Sequence, residues 1–322
     1  MMRITPVSAA GNGLPEIAVV VVGEANDEGF NASGLAGVHA ADRDASARLS
    51  IIDGLTYDAA AITASLRTVL PDFDGLVFIG GQGDSVMPDL SRAFPDKRFA
   101  IVQGKVLGPN LACYDVAQEQ SAFLAGCLAA WQTRTGTVGH LSGHRVRPGL
   151  NARAAYVEGI RHADPSVRVL TSFCGTQDDN AVTRVWAGAQ IDAGADIIFT
   201  MLNGARAGAI DACRAGSAWQ IGNALDWVAR EPDVFLASAL ARIDLGVERA
   251  ISDLTAKTPP PGAVSLGLAE GDYVGLSVGT SVPNHVADRL QEVTEALRDG
   301  RIGFRTDYEG PEFQPEPATE AR

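Results

Sequence analysis

The side chains that could do chemistry sit in polar loops that follow apolar runs. Between Gly23 and Ser33 the chain carries Asn26, Asp27, Phe30 and Asn31. Carboxylate and amide groups suit hydroxyls or ring nitrogens, and a phenylalanine offers a flat apolar surface for a ring. The alternative is a plain strand-to-helix turn, in which Asp27 or Asn31 caps the helix and Phe30 fills a gap. A second loop, Gly80-Gly81-Gln82-Gly83-Asp84-Ser85, is glycine-rich, but no G-K-[ST] follows and the G-x-G-x-x-G spacing is not met. Gly81 and Gln82 therefore suit a close backbone approach to a ligand, or simply a tight turn. Asp226-Trp227 offers a ring that stacks on a ligand or wedges a hinge, and Asp115 either contacts a ligand or caps the helix that begins near Gln118. Arg242 lies within reach of Asp244 and Glu248 on a helix face, a common surface pairing. His140 and His144 flank a glycine-rich turn with Arg145 and Arg147, which reads as a solvated loop, and Asp178-Asp179 as an N-cap pair opening a helix at Asn180.

These groups bind rather than react. There is no Ser-His-Asp order with a nucleophile elbow, no metal cluster, and no cysteine beside a plausible base. The expectation is a protein that is not an enzyme and uses no cofactor. Cys113, Cys127, Cys174 and Cys213 are scattered among apolar or small neighbours, as buried thiols are. A net charge of −13 argues against nucleic acid and against anionic membrane as partners. No apolar stretch approaches the ~20 residues of a membrane span. Leu124-Ala125-Gly126-Cys127 spells a lipoprotein cleavage box, but deep in the chain and without a basic region ahead it is a coincidence within a small-residue helix. The start, MMRITPVSAAGNGLPE, has no hydrophobic core of a signal peptide, so either a leader was removed or the protein is not exported.

The elements that must position these loops alternate along the chain. Ile17-Ala18-Val19-Val20-Val21-Val22 is short, β-branched and without alternation, which suits a strand buried on both faces of a parallel sheet. A helix over 33–41, a strand over 49–52, a helix over 57–70, a strand over 75–79, a helix over 86–94 and a strand over 98–102 follow. After Leu111–Asp115 the pattern restarts: helices over 118–131, 151–161, 180–193, 205–215 and 243–254 separate strands over 136–141, 167–173, 196–200, 219–222 and 235–238. Pro259-Pro260-Pro261 breaks the chain before one extended segment over 264–278, then a helix over 285–298 and a polar, loose tail over 308–322. Such βα units build right-handed parallel sheets, and 322 residues are enough for two domains with separate cores. Two α/β halves fit an enzyme with a nucleotide domain, or a two-lobed binding protein that closes on its ligand about a hinge. Ligands of open α/β sheets collect at the carboxyl ends of strands, where the loops named above fall.

Several segments, in order from about Ile17 to Val278, resemble the basic membrane protein family, the nucleoside-binding lipoproteins of ABC importers. Asn26-Asp27-Glu28-Gly29-Phe30-Asn31 is similar to that family's acidic-Ser-Phe-Asn signature. Phe94-Pro95-Asp96-Lys97-Arg98-Phe99-Ala100-Ile101-Val102 resembles its P-D-K-x-F stretch, and Tyr114-Asp115 with Glu119 to Gly126 its hinge and Leu-Ala-Gly helix. Gly136-Thr137-Val138-Gly139, Gly194-Ala195-Asp196-Ile197-Ile198 and Ile221-Gly222-Asn223 match later segments. The resemblance implies two Rossmann-like lobes of parallel sheet flanked by helices, a type I periplasmic-binding-protein fold with three hinge crossings, near 111–115, 223–226 and 263–267. It places one lobe at 1–112 plus 227–262 and the other at 113–226 plus 263–322, with the ligand cleft between them.

The same resemblance implies that Asn26, Asp27, Phe30 and Asn31 meet the ligand ring, with Asp115 facing the ring or its ribose. Asn223 stands where the family has an aspartate for ribose hydroxyls, and Arg242 near its customary lysine. Asn203 and Arg206 replace a small Gly-Thr-Gly loop. An amide donates as well as accepts, and an arginine adds a planar fork, so the ligand is less constrained than the fold. The expected function is the solute-binding protein of an ABC importer, a monomer held outside the cytoplasm, in the periplasm or on a membrane anchor. It would deliver a purine nucleoside, a nucleobase or another heterocycle to a membrane permease. A nucleoside- or sugar-processing enzyme using Asp27 or Asp115 as base, and a cytosolic ligand sensor, are the alternatives.

Overall fold

The computed structural model describes residues 2–8, 13–256 and 262–315. The first strands and helices are β1 (Arg3–Pro6), β2 (Glu16–Val22), α1 (Phe30–Asp42), β3 (Arg48–Leu55), α2 (Ala59–Val69) and β4 (Gly75–Ile79). Then come α3 (Gly83–Ala93), β5 (Arg98–Val102), β6 (Leu111–Val116), α4 (Gln118–Gln132), β7 (Thr137–Ser142), α5 (Arg147–Ala163) and β8 (Arg168–Phe173). Next are α6 (Asn180–Asp192), β9 (Ile197–Met201), α7 (Arg206–Gly216), β10 (Trp219–Ala224) and β11 (Phe235–Ala241). The chain continues through α8 (Ile243–Thr255), β12 (Ala263–Leu266), β13 (Val274–Val278) and α9 (Asn284–Arg298).

Two compact units form, Met1–Ala117 with Arg242–Tyr273, and Gln118–Ala241 with Val274–Arg322. The chain passes from one to the other three times. The sequence placed the second change at 226/227 and the third at 262/263. It falls instead at 241/242 because β11 pairs with β10, and at 273/274 because β12 pairs with β6 whereas β13 pairs with β11. What read as one extended segment over 264–278 is thus two strands in two sheets. The proline run at 259–261 lies outside the described residues.

In the first unit the sheet order is β1–β3–β2–β4–β5–β6–β12, parallel apart from β1. Ile17 to Val22 are each at most 3% exposed, as a strand covered on both faces requires. Ala18, Val20 and Val22 join Ile62 and Leu66 of α2 and Val86, Met87 and Leu90 of α3 in one core. On α1, Gly37 lies against the Asp244 carbonyl of α8, closer than any side chain would allow.

In the second unit the order is β13–β11–β10–β9–β7–β8, parallel apart from β13. Helices α4 and α5 meet through two glycines: a Cβ on Gly126 would run into the Tyr156 carbonyl, and one on Gly159 into that of Phe123. Asp179 caps α6, accepting from Ala181 N at 2.9 Å and Val182 N at 3.1 Å, as its position before Asn180 implied.

Two regions of the second unit differ from the expectation. His140 lies in the strand expected over 136–141 but does not border a solvated loop; it is an inward residue of β7 with no exposed surface. Its Nδ1 pairs with Thr171 Oγ1 and its Nε2 with Ser142 Oγ, both at 2.9 Å. Burial, with help from the Arg153 charge, lowers its pKa to about 3. The tail is not loose over 308–315. Phe313 N donates to Thr171 O at 2.8 Å, Ser172 Oγ donates to Phe313 O at 2.9 Å, and Glu312 pairs with Arg145 and, at 2.7 Å, with Arg153. These contacts cover β8, the last strand of its sheet; residues 316–322 lie outside the described residues. Cys113, Cys127 and Cys213 are buried free thiols and Cys174 is half-buried. Desolvation pushes Cys127 and Cys213 up to about 12.

Candidate functional site

In the first unit the chain leaves β2 for β3 on one side and returns to β4 on the other. Loops at the carboxyl ends of β2 and β4 therefore diverge at a switch point, the usual place for a ligand in an open α/β sheet. Asp27, 2% exposed, accepts from three backbone N–H groups at 2.9 Å: Gly29 and Ala32 through Oδ1, and Asn31 through Oδ2. It satisfies donors that the first turn of α1 leaves without intrahelical partners. Asn31, equally buried, donates through Nδ2 to Val22 O at 2.9 Å and Glu24 O at 2.8 Å. Asp27 thus caps the first turn, one alternative that the sequence left open, whereas Asn31 ties the start of α1 to the loop before it. Asn26 is exposed and Phe30 is half-buried.

Phe30 lies beside the β4 loop. Gly80 takes φ +117°, where a side chain is strained, and an added Cβ would stand 2.7 Å from Gln82 Oε1 and 3.7 Å from Phe30 Cε1. Phe30, Gly81 and Gln82 are thus brought together at the switch point. Asp115, half-buried, is the penultimate residue of β6. Sequence reasoning missed its brace: Gln103, 1% exposed with φ +73°, donates from N to Tyr114 O at 2.7 Å and from Nε2 to Val116 O at 2.8 Å. A glutamine after a buried strand gives little warning of that role. Arg242 is exposed and forks onto Asp244 at 2.9 and 2.6 Å, which raises its already high pKa. That is the surface pairing the sequence allowed.

In the second unit, Asn203 follows β9, Asn223 sits near the end of β10, and Asp226 and Trp227 follow it. Asp226 is exposed and accepts from Ser277 Oγ at 3.1 Å and Ala229 N at 3.3 Å, holding a turn. Trp227 is 5% exposed and packs on Phe235, with the Arg206 and Arg230 guanidinium groups 4.4 and 5.0 Å from its ring centre. It is a core wedge rather than an open platform.

Arg206, absent from the residues singled out as ligand contacts, is central to this strand end. Only 3% exposed, it donates to Thr200 Oγ1 at 3.1 Å, to Asn223 Oδ1 at 2.6 Å, and to Leu202 O. One signal could have found it. A cation in the first turn of a helix opposes the helix dipole, so an arginine opening α7 calls for a partner elsewhere.

Among the described residues, no cluster of three or more His, Cys, Asp or Glu could hold a metal ion. No helix among them is long and apolar enough to cross a membrane.

The fold defines a class. A solute-binding protein of an ABC transporter system from Aeropyrum pernix K1 superposes with a TM-score of 0.80 at 19% identity, covering 92% of this chain and 94% of that one. Another, from Conexibacter woesei DSM 14684, gives 0.70 at 22% identity, covering 92% and 100%. These likenesses establish the two-sheet, type I periplasmic-binding-protein architecture. The family is settled by sequence: residues 14–304 match the model described as ABC transporter substrate-binding protein PnrA-like, and the chain belongs to that family (Bmp). It is a family of substrate-binding proteins, which are not enzymes. Basic membrane protein A2 of Borrelia garinii subsp. bavariensis is 24% identical over 215 residues, which span 63% of this chain and 61% of that relative.

Proposed function

We propose that this chain is the solute-binding component of an ABC importer, and that it binds a purine nucleoside, a nucleobase or a related heterocycle through strand-end residues of its two units. The observation that carries the ligand class is Phe30, half-buried beside Gly80 and Gln82 at the switch point of the first sheet. An aromatic ring next to a glycine-lined backbone and an amide suits a flat heterocycle: the ring stacks, and the amide both donates and accepts. Asn26 and Asp115 supply further polar groups in that unit, and Asn203 and Asn223 in the other. Asp27 and Asn31 act by holding the loop that presents Phe30. The protein works as a monomer outside the cytoplasm and hands its ligand to a membrane permease. A thermal-shift screen against nucleosides, nucleobases, sugars and flavins tests this, because a ligand raises the melting temperature with the logarithm of its excess over Kd. A rise with purine nucleosides or bases supports the proposal; a rise with sugars alone contradicts it.

A further inference from the structure

Two side chains at the carboxyl end of β10 carry hydrogen-bond donors that the protein itself does not use. Asn223 is 7% exposed, and its Oδ1 accepts from Arg206 Nη2 at 2.6 Å. A guanidinium has donors only, so the amide has one orientation, oxygen towards Arg206. Its Nδ2 meets no acceptor among the described residues. Trp227, 5% exposed, likewise has an indole Nε1 without a partner among them.

The acceptors nearby are already engaged. Asn223 Oδ1, Thr200 Oγ1 and the Leu202 carbonyl all receive hydrogen bonds from Arg206. What this strand end has left is donors, with a buried positive charge behind them. Buried polar groups are almost always hydrogen-bonded, and a donor left unpaired costs its desolvation. A ligand oxygen without a proton of its own, in a ring carbonyl or a carboxylate, answers that need. A vicinal diol is served less well, because its hydroxyl protons need acceptors: Thr200 and Leu202 have no exposed surface, and the Asn223 oxygen is turned to Arg206.

We propose that the Arg206–Asn223 pair makes this strand end select a ligand that presents an acceptor oxygen over one that presents a diol. The inference rests on the solute-binding function in one respect, that Asn223 touches the solute.

The test is calorimetric titration of the full chain and of Asn223→Asp and Asn223→Leu with two matched pairs: hypoxanthine against inosine, and glucuronate against glucose. The wild type should bind the acceptor member of at least one pair tenfold or more tightly than its diol partner. Asn223→Asp, which exchanges the donor for an acceptor, should weaken the acceptor ligand at least tenfold and improve the diol. Asn223→Leu, which removes the donor without adding a charge, should weaken the acceptor ligand and leave the diol unchanged. Glucuronate binding that depends on Asn223, with neither purine bound, would uphold this inference and overturn the heterocycle. Tighter binding of inosine, unaltered by Asn223→Asp, would overturn this inference and uphold the heterocycle. Binding of none of the four overturns both.

Discussion

Arg206 Nη2 and Asn223 Oδ1 stand 2.6 Å apart, joining the first turn of α7 to the end of β10. The same guanidinium serves Thr200 and Leu202, so replacing it with an apolar residue of similar length would strand three acceptors. Arg206→Met should cost about 3 kcal/mol, since hydrogen bonds to a charged group contribute ~1.5–3 kcal/mol each and stranded acceptors cost more. Chemical denaturation of the variant measures this; a loss below about 1 kcal/mol would show that the network relaxes without it.

Asp27 offers a separable case in the first unit. Its carboxylate holds the N–H groups of Gly29, Asn31 and Ala32, and Asp27→Ala should cost about 1–2 kcal/mol, in the range for a lost N-cap. Asp27→Asn keeps one acceptor and should cost less. Urea melts of the two variants give the comparison.

Phe30 and Asp115 are half-buried, and no side-chain network of the kind around Arg206 depends on Phe30. Phe30→Ala and Asp115→Ala should each weaken ligand binding at least tenfold and shift the melting temperature little. Titration and thermal melting on the same samples separate the two effects. Unchanged affinity in both variants would place the ligand elsewhere.

How far the sequence carried depended on whether one element sufficed to decide. The run Ile17–Val22 announced a doubly covered strand, and β4 and β5 were placed at their observed bounds, because continuous β-branched or apolar runs between turn residues leave little choice. β1 was missed: four exposed residues ending in proline carry no apolar signal, and pairing with β3 alone makes them a strand. His140 was expected within a strand over 136–141, as β7 has it, but its side chain was read as solvated because a polar residue beside glycines looks so. Only tertiary neighbours, Thr171 on the adjacent strand among them, make its burial tolerable. The described part of the tail looked loose for the same reason, since its anchors, Arg145, Arg153 and Ser172, lie far away in sequence. At the candidate site the residue types were legible, but which of them hold loops and which face outward was set by backbone geometry.

His140 links folding to pH. Its folded pKa is lowered to about 3 from an ordinary 6.5, so the folded state resists protonation and the unfolded state accepts it. Stability from this group is therefore full above pH 6.5 and falls as pH drops from there towards 3. The slope approaches about 1.4 kcal/mol per pH unit. Unfolding free energies between pH 7.5 and 4.5 should show this loss, and His140→Gln should flatten it. An equal slope in both proteins would assign the acid sensitivity to other groups.

The tail contributes to the second unit. Phe313 adds a backbone bond and a half-buried ring at β8. Phe313→Ala should cost about 1.5–2.5 kcal/mol, half the loss for a fully buried phenylalanine. Thermal melts check it, and a variant as stable as the wild type would mean that Glu312 and the backbone bonds of residue 313 anchor the segment without the ring.

Solute binding is tested most directly by calorimetric titration of purine nucleosides and nucleobases into the wild type, Phe30→Ala and Asn223→Leu. The wild type should show saturable one-to-one binding. Nucleobases should lose at least tenfold in each variant, one from either unit, and nucleosides should lose as much in Phe30→Ala, with the fold retained. Wild-type affinity in both variants, or binding of sugars with no response to any purine, would contradict these expectations.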